Sequence, residues 1–460
     1  MKLARLISFA VLTAVLTLTA ANANAQSKKA LKQAKDLYEQ GNRSFNQKNF
    51  RDAVEKYAES AAIAPNLAPT HFWKGNAHYY LKENDLALTE LDKALELGYK
   101  AGDIYKVRWY VNFEKQNFDA ALGDIDKALV DDPTNPTMLL AAGDIYYERN
   151  DFQKALDYYN KVGSGTVGSG DLKYKMARAY AALGNVDGQL ESALLATRQG
   201  TKYVAESWGL AGDAYMRQNK NEQAIDAYKR ASAANPENVQ LYRTLAELYR
   251  RENRITDAIQ VLDNGLKKFP RNGNLYTDIG WYYSIADRKQ EAVDASKAAT
   301  TLLPKEYLGY TNLCRAYNDN GQPNLAVGAC NIALGINPED GETNFYLGRA
   351  YSLLKRDDDA GKYYDKAVVG LEKFTKTNSE YSDGFYLLGN AYTSTKNYPK
   401  AVEAYRRCIE LNPSFVKARF NLGLIYIFQN KKALATEQYE HLASLDQKFA
   451  NDLKAAIDKM

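Results

Sequence analysis

Two short stretches of the sequence, residues 73–80 (WKGNAHYY) and 387–394 (LLGNAYTS), share a Gly-Asn-Ala core followed by an aromatic residue. A glycine next to a polar side chain is a component of phosphate-binding loops. Those loops, however, cluster several glycines at a strand-to-helix turn, whereas each glycine here stands alone among residues typical of a helix. A lone glycine inside a helix costs about 1 kcal/mol relative to alanine, so we expect another helix to pack against it.

Other residues that could carry chemistry are sparse. The sequence has three histidines, His71, His78 and His441, and it contains no H-E-x-x-H, C-x-x-C or G-x-S-x-G motif. We therefore predict no metal site and no cofactor, and we expect that the protein is not an enzyme. Packing in the interior is the preferred interpretation of His71 and His78.

The isolated glycines belong to a pattern that repeats every 34 residues, with one interval of 35 and one of 41. All repeats but one carry a small residue, often with a tyrosine three positions later. All but one carry an alanine twelve positions after the small-residue position, and many have a proline twelve positions after the alanine. Trp109 alone breaks the column of small residues. The alanine column consists of Ala53, Ala87, Ala121, Ala155, Ala224, Ala258, Ala292, Ala326, Ala360, Ala401 and Ala435, with Gln189 in the remaining repeat.

Within each repeat, two stretches of helical periodicity flank a short turn, and the proline ends the second helix. This pattern resembles the tetratricopeptide repeat, a helix–turn–helix unit, over about twelve tandem repeats at residues 26–447. The resemblance implies an all-α, right-handed superhelical solenoid that binds a protein or peptide partner in its concave groove. Residues 448–460 are predicted to form a helix that caps the last repeat, with Phe449, Leu453 and Ile457 on one face.

Three irregularities interrupt the repeats. The glycine-rich stretch 163–170 (GSGTVGSG) is either a tolerated loop or a hinge between the repeats on its two sides. Seven extra residues near 368–380 predict a longer second helix in that repeat. Trp109 predicts that its helix pair opens slightly or that the indole turns outward.

The first 25 residues have the features of a secretory signal peptide. A short basic start precedes an apolar run, and small residues Ala23 and Ala25 precede the expected cleavage before Gln26. We expect an exported protein, in the bacterial periplasm or secreted, with no membrane span after cleavage; an uncleaved anchor is the alternative. The net charge of +4 falls to +2 without Lys2 and Arg5, which gives no reason to expect nucleic acid as a partner.

The resemblance also implies which residues line the groove. In the first four repeats these positions predict an aromatic ladder, which either binds a ligand or only packs between neighbouring helices. Further along, arginines suit carboxylate or phosphate recognition, unless they form a solvated face. The aromatic candidates are Tyr38, Phe45, Phe72, Tyr79, Phe113 and Tyr147, with Tyr80 and Tyr110 nearby, and the arginine candidates are Arg178, Arg217, Arg243 and Arg250.

Near the C-terminal end the groove positions become apolar again, and either the terminal helix or a second copy of the chain is expected to cover them. These positions are Phe345, Tyr386, Phe420, Leu424, Ile427 and Phe428. In the core columns of one repeat, Cys314 and Cys330 form a disulfide or remain two buried thiols, and Cys408 has no partner.

The sequence therefore predicts a non-catalytic, exported scaffold or adaptor that binds peptide or helical segments and acts in envelope assembly. The alternative is a structural protein that forms homo-oligomers through the apolar groove near its C terminus. An adaptor is expected to stay monomeric until its partner is present, whereas a self-associating protein is not.

Overall fold

The computed structural model describes residues 27–163 and 169–460, and every regular element within these ranges is an α-helix. The predicted signal peptide, residues 1–25, lies outside the described residues, as do residues 164–168 of the glycine-rich stretch. The all-α prediction is confirmed for the described part of the chain. The described residues form two compact units, the first ending at residue 210 and the second comprising residues 211–460.

The helices of the first unit are short and similar in length. They are α1 (residues 27–46), α2 (Phe50–Ile63), α3 (Ala68–Tyr80), α4 (Asn84–Glu96), α5 (Ala101–Glu114), α6 (Phe118–Asp131), α7 (Pro136–Glu148), α8 (Phe152–Lys161), α9 (Ser169–Ala182) and α10 (Val186–Gln199).

The second unit continues the same alternation of paired helices. After α11 (Val204–Arg217) follow α12 (Asn221–Ala234), α13 (Val239–Arg251), α14 (Ile255–Lys268), α15 (Gly273–Ile285), α16 (Lys289–Leu302), α17 (Tyr307–Asp319), α18 (Pro323–Ile336), α19 (Gly341–Leu353), α20 (Asp357–Thr377), α21 (Ser382–Ser394), α22 (Tyr398–Leu411), α23 (Val416–Phe428), α24 (Lys432–Leu445) and α25 (Gln447–Ile457).

A tight turn joins the two helices of each pair. Between α1 and α2, Lys48 has a positive φ of 62°. Its amide donates to Phe45 O at 2.9 Å, while the Asn49 amide donates to Ser44 O at 2.9 Å. Such a left-handed residue ends a helix and satisfies its last carbonyls. The equivalent residues are Lys82, Gln116, Asn150, Gly184, Asn219, Asn253, Asp287, Gly321, Lys355, Lys396 and Asn430.

The recurring glycine makes room for an aromatic ring of the partner helix. A Cβ added at Gly389 would lie 2.6 Å from ring carbons of Tyr405, and a Cβ at Gly143 would lie 2.3 Å from Tyr159 Cε1. No real side chain tolerates such distances without movement. The glycine therefore has the packing role that the sequence predicts.

The polar residue that follows the glycine binds the hydroxyl of the same tyrosine. Tyr405 Oη donates to Asn390 Oδ1 at 2.7 Å, and Tyr159 Oη donates to Asp144 Oδ1 at 2.8 Å. Because a buried hydroxyl without a partner is costly, glycine and its polar neighbour act together. The first Gly-Asn-Ala stretch differs, because Gly75 faces Leu91 instead of a tyrosine.

The alanine column is buried throughout the array. Ala53, Ala224 and Ala326 have no exposed surface, so the second helix of each pair approaches the first closely. Gln189, which replaces alanine in one repeat, is also buried, and its Nε2 donates to Leu210 O at 2.7 Å.

Two of the predicted irregularities lie in described parts of the chain. Helix α20 has 21 residues, where the other second helices have 10 to 14, so the predicted extension is confirmed. The indole of Trp109 is half-buried and lies against Tyr110 and Phe113, with ring centroids 5.1 and 6.4 Å away.

The predicted terminal helix is present as α25 and packs on α23 and α24. Leu453 and Ile457 are buried, and the Leu453 side chain occupies the space beside Gly423. The ring of Phe449 meets that of Phe420 edge-on, with centroids 5.1 Å apart. Helix α25 therefore covers apolar surface of the last helix pair.

The second unit contains one disulfide, which joins Cys314 on α17 to Cys330 on α18, with Cα atoms 5.3 Å apart. The sequence leaves open whether these two cysteines form a disulfide or remain thiols, and the structure contains the disulfide. Cys408 is a buried free cysteine. Among the described helices, none combines the length and apolar character needed to cross a lipid bilayer.

Candidate functional site

In the first unit, aromatic side chains form a continuous row along α1, α3 and α5, together with the first residue of α2. Tyr80 stacks on Phe50 with centroids 4.6 Å apart and meets Phe45 edge-on at 5.6 Å. Neighbouring rings then follow at 5.1 to 6.4 Å. We call this surface the aromatic row, and its members are Phe45, Phe50, Tyr79, Tyr80, Tyr110 and Phe113.

The row is both packed and open to solvent. Tyr80 is 52% exposed and Tyr110 is 40% exposed, whereas Phe45, Tyr79 and Phe113 are half-buried. Burial, followed by the nearby Tyr110, raises the pKa of Tyr79 to about 12, so the Tyr79 hydroxyl is uncharged at neutral pH. Some rings of the predicted ladder are therefore packed and others are exposed on the same surface, and ligand contact stays a prediction.

Three predicted aromatic residues lie outside this row. Phe72 is 7% exposed and stacks on Tyr99 at 4.5 Å, so it presents little surface to a ligand and its predicted binding role needs correction. Tyr38 lies against Tyr57 at 6.0 Å. Tyr147 contacts Phe152 at 5.2 Å instead of continuing the row.

Arg178 belongs to the same region as Tyr147. Its guanidinium lies 4.4 Å from the centroid of the Tyr147 ring and 5.8 Å from that of Tyr174. Such cation–π contacts hold an arginine in place while leaving its edge donors available. Arg178 could therefore donate to a ligand without losing its aromatic contacts.

In the second unit, the groove positions carry a network of ion pairs centred on Arg250. Arg250 binds Glu247 through two hydrogen bonds of 2.7 Å. Its third donor, Nη1, reaches Asp383 Oδ2 on α21 at 2.9 Å. The Arg250 and Asp383 side chains are only 8% and 15% exposed. This bridge links α13 and α21 across 133 residues of sequence.

The bridge corrects the prediction for Arg250. Each of its three nitrogens donates a hydrogen bond within the protein, so Arg250 has a structural role. Burial raises the pKa of Glu247, but the hydrogen bond and charge of Arg250 outweigh burial, and the net shift is downward. Glu247 also accepts a hydrogen bond from Tyr282 Oη at 3.2 Å.

Arg243 and Asp278 form a second pair beside this network. Arg243 binds both carboxylate oxygens of Asp278, with Nη2 to Oδ1 at 3.2 Å. Burial raises the pKa of Asp278 more than Arg243 lowers it. Arg217, by contrast, is exposed, and no ion pair holds it among the described residues. The predicted arginines therefore differ in burial: Arg250 is buried, Arg217 is exposed, and the other two are half-buried.

A cavity of about 340 Å³ lies next to these pairs. Its walls combine the apolar side chains of Met216, Leu248 and Trp281 with polar groups. Arg251 reaches Glu247 at 3.3 Å and is 59% exposed. The cavity is therefore lined by one exposed cationic side chain, Arg251, that is paired with a carboxylate only at 3.3 Å.

Sequence reasoning missed Asp383 and Trp281. Asp383 is the second residue of its repeat and Trp281 is the ninth residue of its repeat. The resemblance assigns both positions to the groove, so register alone could have identified the two residues as groove residues. The pairing of Asp383 with Arg250 had no signal in the sequence, because seven helices separate α13 from α21.

The histidines have packing and hydrogen-bonding roles. His71 and His78 are buried, and their Nδ1 atoms lie 2.6 Å from Glu90 Oε2 and 2.7 Å from Glu83 Oε2, respectively. Over residues 27–163 and 169–460, no group of three or more metal-binding side chains is found.

The apolar positions near the C terminus are partly covered. Phe449 of α25 covers Phe420, and Phe345 is buried. Phe428 stays 70% exposed although it contacts the Tyr398 ring at 4.7 Å, and Leu424 is 38% exposed. The terminal helix therefore covers one end of this surface and leaves the other open.

Family models described as tetratricopeptide repeats match residues 111–165, 210–273, 312–376, 382–415 and 416–449, together more than half of the chain. The chain belongs to the tetratricopeptide repeat family. Tetratricopeptide repeat proteins are protein-interaction scaffolds that bind protein partners, so the surfaces described above belong to a scaffold of this kind. The number of twelve repeats stays a prediction.

Three proteins of known sequence or structure that resemble this chain are 15% to 27% identical to it. Mouse RNA polymerase II-associated protein 3 is 27% identical over 210 residues, which cover 45% of this chain and 28% of that protein. The chain thus matches less than a third of that relative. A tetratricopeptide repeat protein from Parabacteroides merdae is 15% identical, covering 56% of this chain and 98% of that one, with a TM-score of 0.45. Yeast Tom70 is 16% identical, covering 93% and 96%, with a TM-score of 0.40.

Proposed function

We propose that this protein is a non-catalytic scaffold that binds a peptide or helical segment of a partner protein on the aromatic row. The observation that carries this proposal is the exposure of Tyr80 and Tyr110 within a continuous chain of ring contacts. Exposed aromatic residues with a polar hydroxyl are frequent anchors of protein interfaces.

The packing of the row favours binding over a purely structural role. Tyr80 is held between Phe45 and Phe50, and Tyr110 contacts Tyr79 and Phe113. Rings that are already fixed lose little conformational entropy when a ligand covers them. A partner that presents apolar side chains along one edge of a helix or an extended segment suits such a surface.

Export to the periplasm, with a part in envelope assembly, belongs to the same proposal. The Cys314–Cys330 disulfide supports it, because such bonds persist mainly in oxidising compartments. The apolar run followed by Ala-Asn-Ala in residues 1–25 supports it from the sequence.

The test is affinity capture from the native envelope extract with purified protein as bait. The variant Tyr80→Ala/Tyr110→Ala removes the exposed rings, and Phe428→Ala is the matched control outside the row. We expect the wild type and Phe428→Ala to retain the same partner protein and the double variant to lose it. A partner retained equally by all three baits would exclude the aromatic row as the binding surface.

Self-association is a second candidate, favoured by the exposure of Phe428 and Leu424 on α23. Sedimentation equilibrium of the wild type and Phe428→Ala tests it directly. Self-association predicts a wild-type dimer that the substitution dissociates. A monomeric wild type at high concentration excludes this candidate and leaves the scaffold proposal standing.

A further inference from the structure

A single side-chain bridge connects two helices of the second unit whose packing partners are otherwise different. Helix α13 packs on α12 and α14, and α21 packs on α19, α20 and α22. Arg250 Nη1 donates to Asp383 Oδ2 at 2.9 Å, and this is the one hydrogen bond between α13 and α21 in the part of the chain that the structure describes. We call Arg250 and Asp383 the clasp.

The clasp joins the two ends of a row of first helices. In this row α15 packs on α17, α17 on α19 and α19 on α21, while α14 connects α13 to α15. Since side chains from the two ends meet, the row curves back on itself and encloses its inner side. Arg250 and Asp383 are the twelfth and second residues of their repeats, positions that the resemblance assigns to the groove.

Helices between the two ends contribute charged groove residues that face the clasp. Burial raises the pKa of Asp383 more than Arg250 and Arg315 of α17 lower it. Glu342 of α19 faces the same carboxylate. The Arg315 side chain is 15% exposed, which is as little as that of Asp383. Side chains from α13, α17, α19 and α21 therefore share one poorly solvated interior, which an open groove would expose to water.

We propose that the Arg250–Asp383 clasp holds the two sides of this groove together, so that its groove positions are closed to a partner segment while the clasp is formed. The clasp can open without leaving a buried cation unpaired, because Arg250 keeps two hydrogen bonds to Glu247 of its own helix. The Asp383 carboxylate gains water as the two sides separate, which offsets the lost contact.

This proposal goes beyond the scaffold function, because it concerns the geometry of the second unit with no partner bound. Two helices that meet only through one ionic contact have no apolar interface to hold them together. Loss of that contact is therefore expected to let the ends of the row move apart, whereas each helix pair keeps its own packed interior.

The distance between the two sides can be measured with spin labels on exposed second helices. The substitutions Gln260→Cys on α14 and Glu403→Cys on α22 place the labels at exposed positions outside the groove. The native cysteines do not compete for the label, because Cys314 and Cys330 form a disulfide and Cys408 is buried. Double electron–electron resonance on the full chain then reports the distribution of label separations.

The discriminating variant is Asp383→Ala, because it removes the clasp and leaves the pair of Arg250 and Glu247 intact. Its matched control, Asp358→Ala, removes the same charge from an exposed position in the first turn of α20. We expect Asp383→Ala to shift the label separation to longer distances and to broaden its distribution. We expect Asp358→Ala to give the wild-type distribution. Circular dichroism during thermal melting verifies that both variants are folded.

An unchanged label separation in folded Asp383→Ala would overturn the proposal, and so would an equal shift in Asp358→Ala. If Asp383→Ala does not fold, the isosteric variant Asp383→Asn takes its place. A neutral amide is a weaker acceptor than a carboxylate, so we expect a smaller shift in the same direction, and no shift would then overturn the proposal. The capture experiment reports on the aromatic row, so a failure of the scaffold proposal is seen there and a failure of the clasp is seen in the label distances.

Discussion

The same repeat position has opposite chemistry in the two units. Four residues after the column of small residues, which Trp109 alone interrupts, the first unit carries Phe45, Tyr79 and Phe113, whereas one repeat of the second unit carries Arg250. The rings pack on their neighbours and leave exposed faces beside them. The Arg250 guanidinium cannot pack on apolar neighbours in the same way, because a buried charge must be paired.

This difference determines how far each surface reaches along the chain. The rings of the aromatic row touch only rings of the same or the next helix pair. Arg250 instead recruits Asp383 from a helix 133 residues away. A common frame of helix pairs therefore supports an open apolar surface in one unit and an internally bonded ionic one in the other.

The comparison is tested most strongly by removing Arg250. Arg250→Met leaves Glu247 and Asp383 without their main cation, and we expect a loss of about 3–5 kcal/mol in the free energy of unfolding. Arg217→Met is the control, because Arg217 is exposed and its loss should change stability by less than about 0.5 kcal/mol. Urea denaturation followed by circular dichroism measures both. Equal stability of the two variants would mean that the bridge to α21 contributes nothing.

The shared frame is tested by overpacking one glycine in each unit. A Cβ at Gly143 or at Gly212 would lie 2.3 or 2.6 Å from a tyrosine ring carbon. We expect Gly143→Ala and Gly212→Ala each to cost about 1–3 kcal/mol. Gly123→Ala is the control, because nothing lies within 4 Å of the new methyl group, and it should stabilise α6 by about 1 kcal/mol.

Thermal or urea unfolding of these three variants tests whether the two units share the same packing within their helix pairs. Similar costs at Gly143 and Gly212 support a shared helix-pair geometry. A large loss of unfolding free energy in only one of the two variants would contradict a shared geometry. The two units would then differ in the packing of their helix pairs as well as in their surface residues.

A further expected effect is a pH dependence that arises from a buried carboxyl group of the second unit, Glu342. Burial raises the pKa of Glu342 from 4.5 to about 7. Since the folded state favours the protonated carboxyl group, its stabilising contribution is complete at acidic pH and is lost as the pH rises through 7. The charged and titratable groups facing Glu342 are Asp340, Arg315, Asp383 and Tyr346.

The measurement is the unfolding free energy of the wild type and Glu342→Gln from about pH 5 to about pH 8. We expect the wild type to lose stability relative to the variant across this range, because glutamine has no proton to release. A constant difference between the two proteins would show that Glu342 titrates normally.

The helical frame could be predicted from sequence because its determinants are local. The glycine and its polar neighbour, the buried alanine and the extra residues of α20 each act within one helix pair. The terminal helix follows the same logic, since Leu453 and Ile457 are one turn apart on a single helix. The predicted signal peptide lies outside the described residues, and export stays a prediction.

The binding surfaces were predictable only in part. Register identified Phe45 and Tyr79 as groove residues, but it could not show that Phe72 is buried while Tyr80 is exposed, because that depends on the packing of Tyr99 and Phe50. Register also identified Arg250, but its pairing with Asp383 depends on the path of seven intervening helices. Local pattern gives position along a helix, and long-range packing decides what a side chain meets there.

The left-handed residue between paired helices recurs in both units at nearly constant intervals, from Lys48 to Asn430. A genetic crossover between two such turns would therefore insert or delete whole helix pairs and leave the glycine, alanine and tyrosine columns in phase. The length of this chain can change by duplication without redesign of its interior. Each new pair would then be free to acquire its own surface chemistry by point substitution.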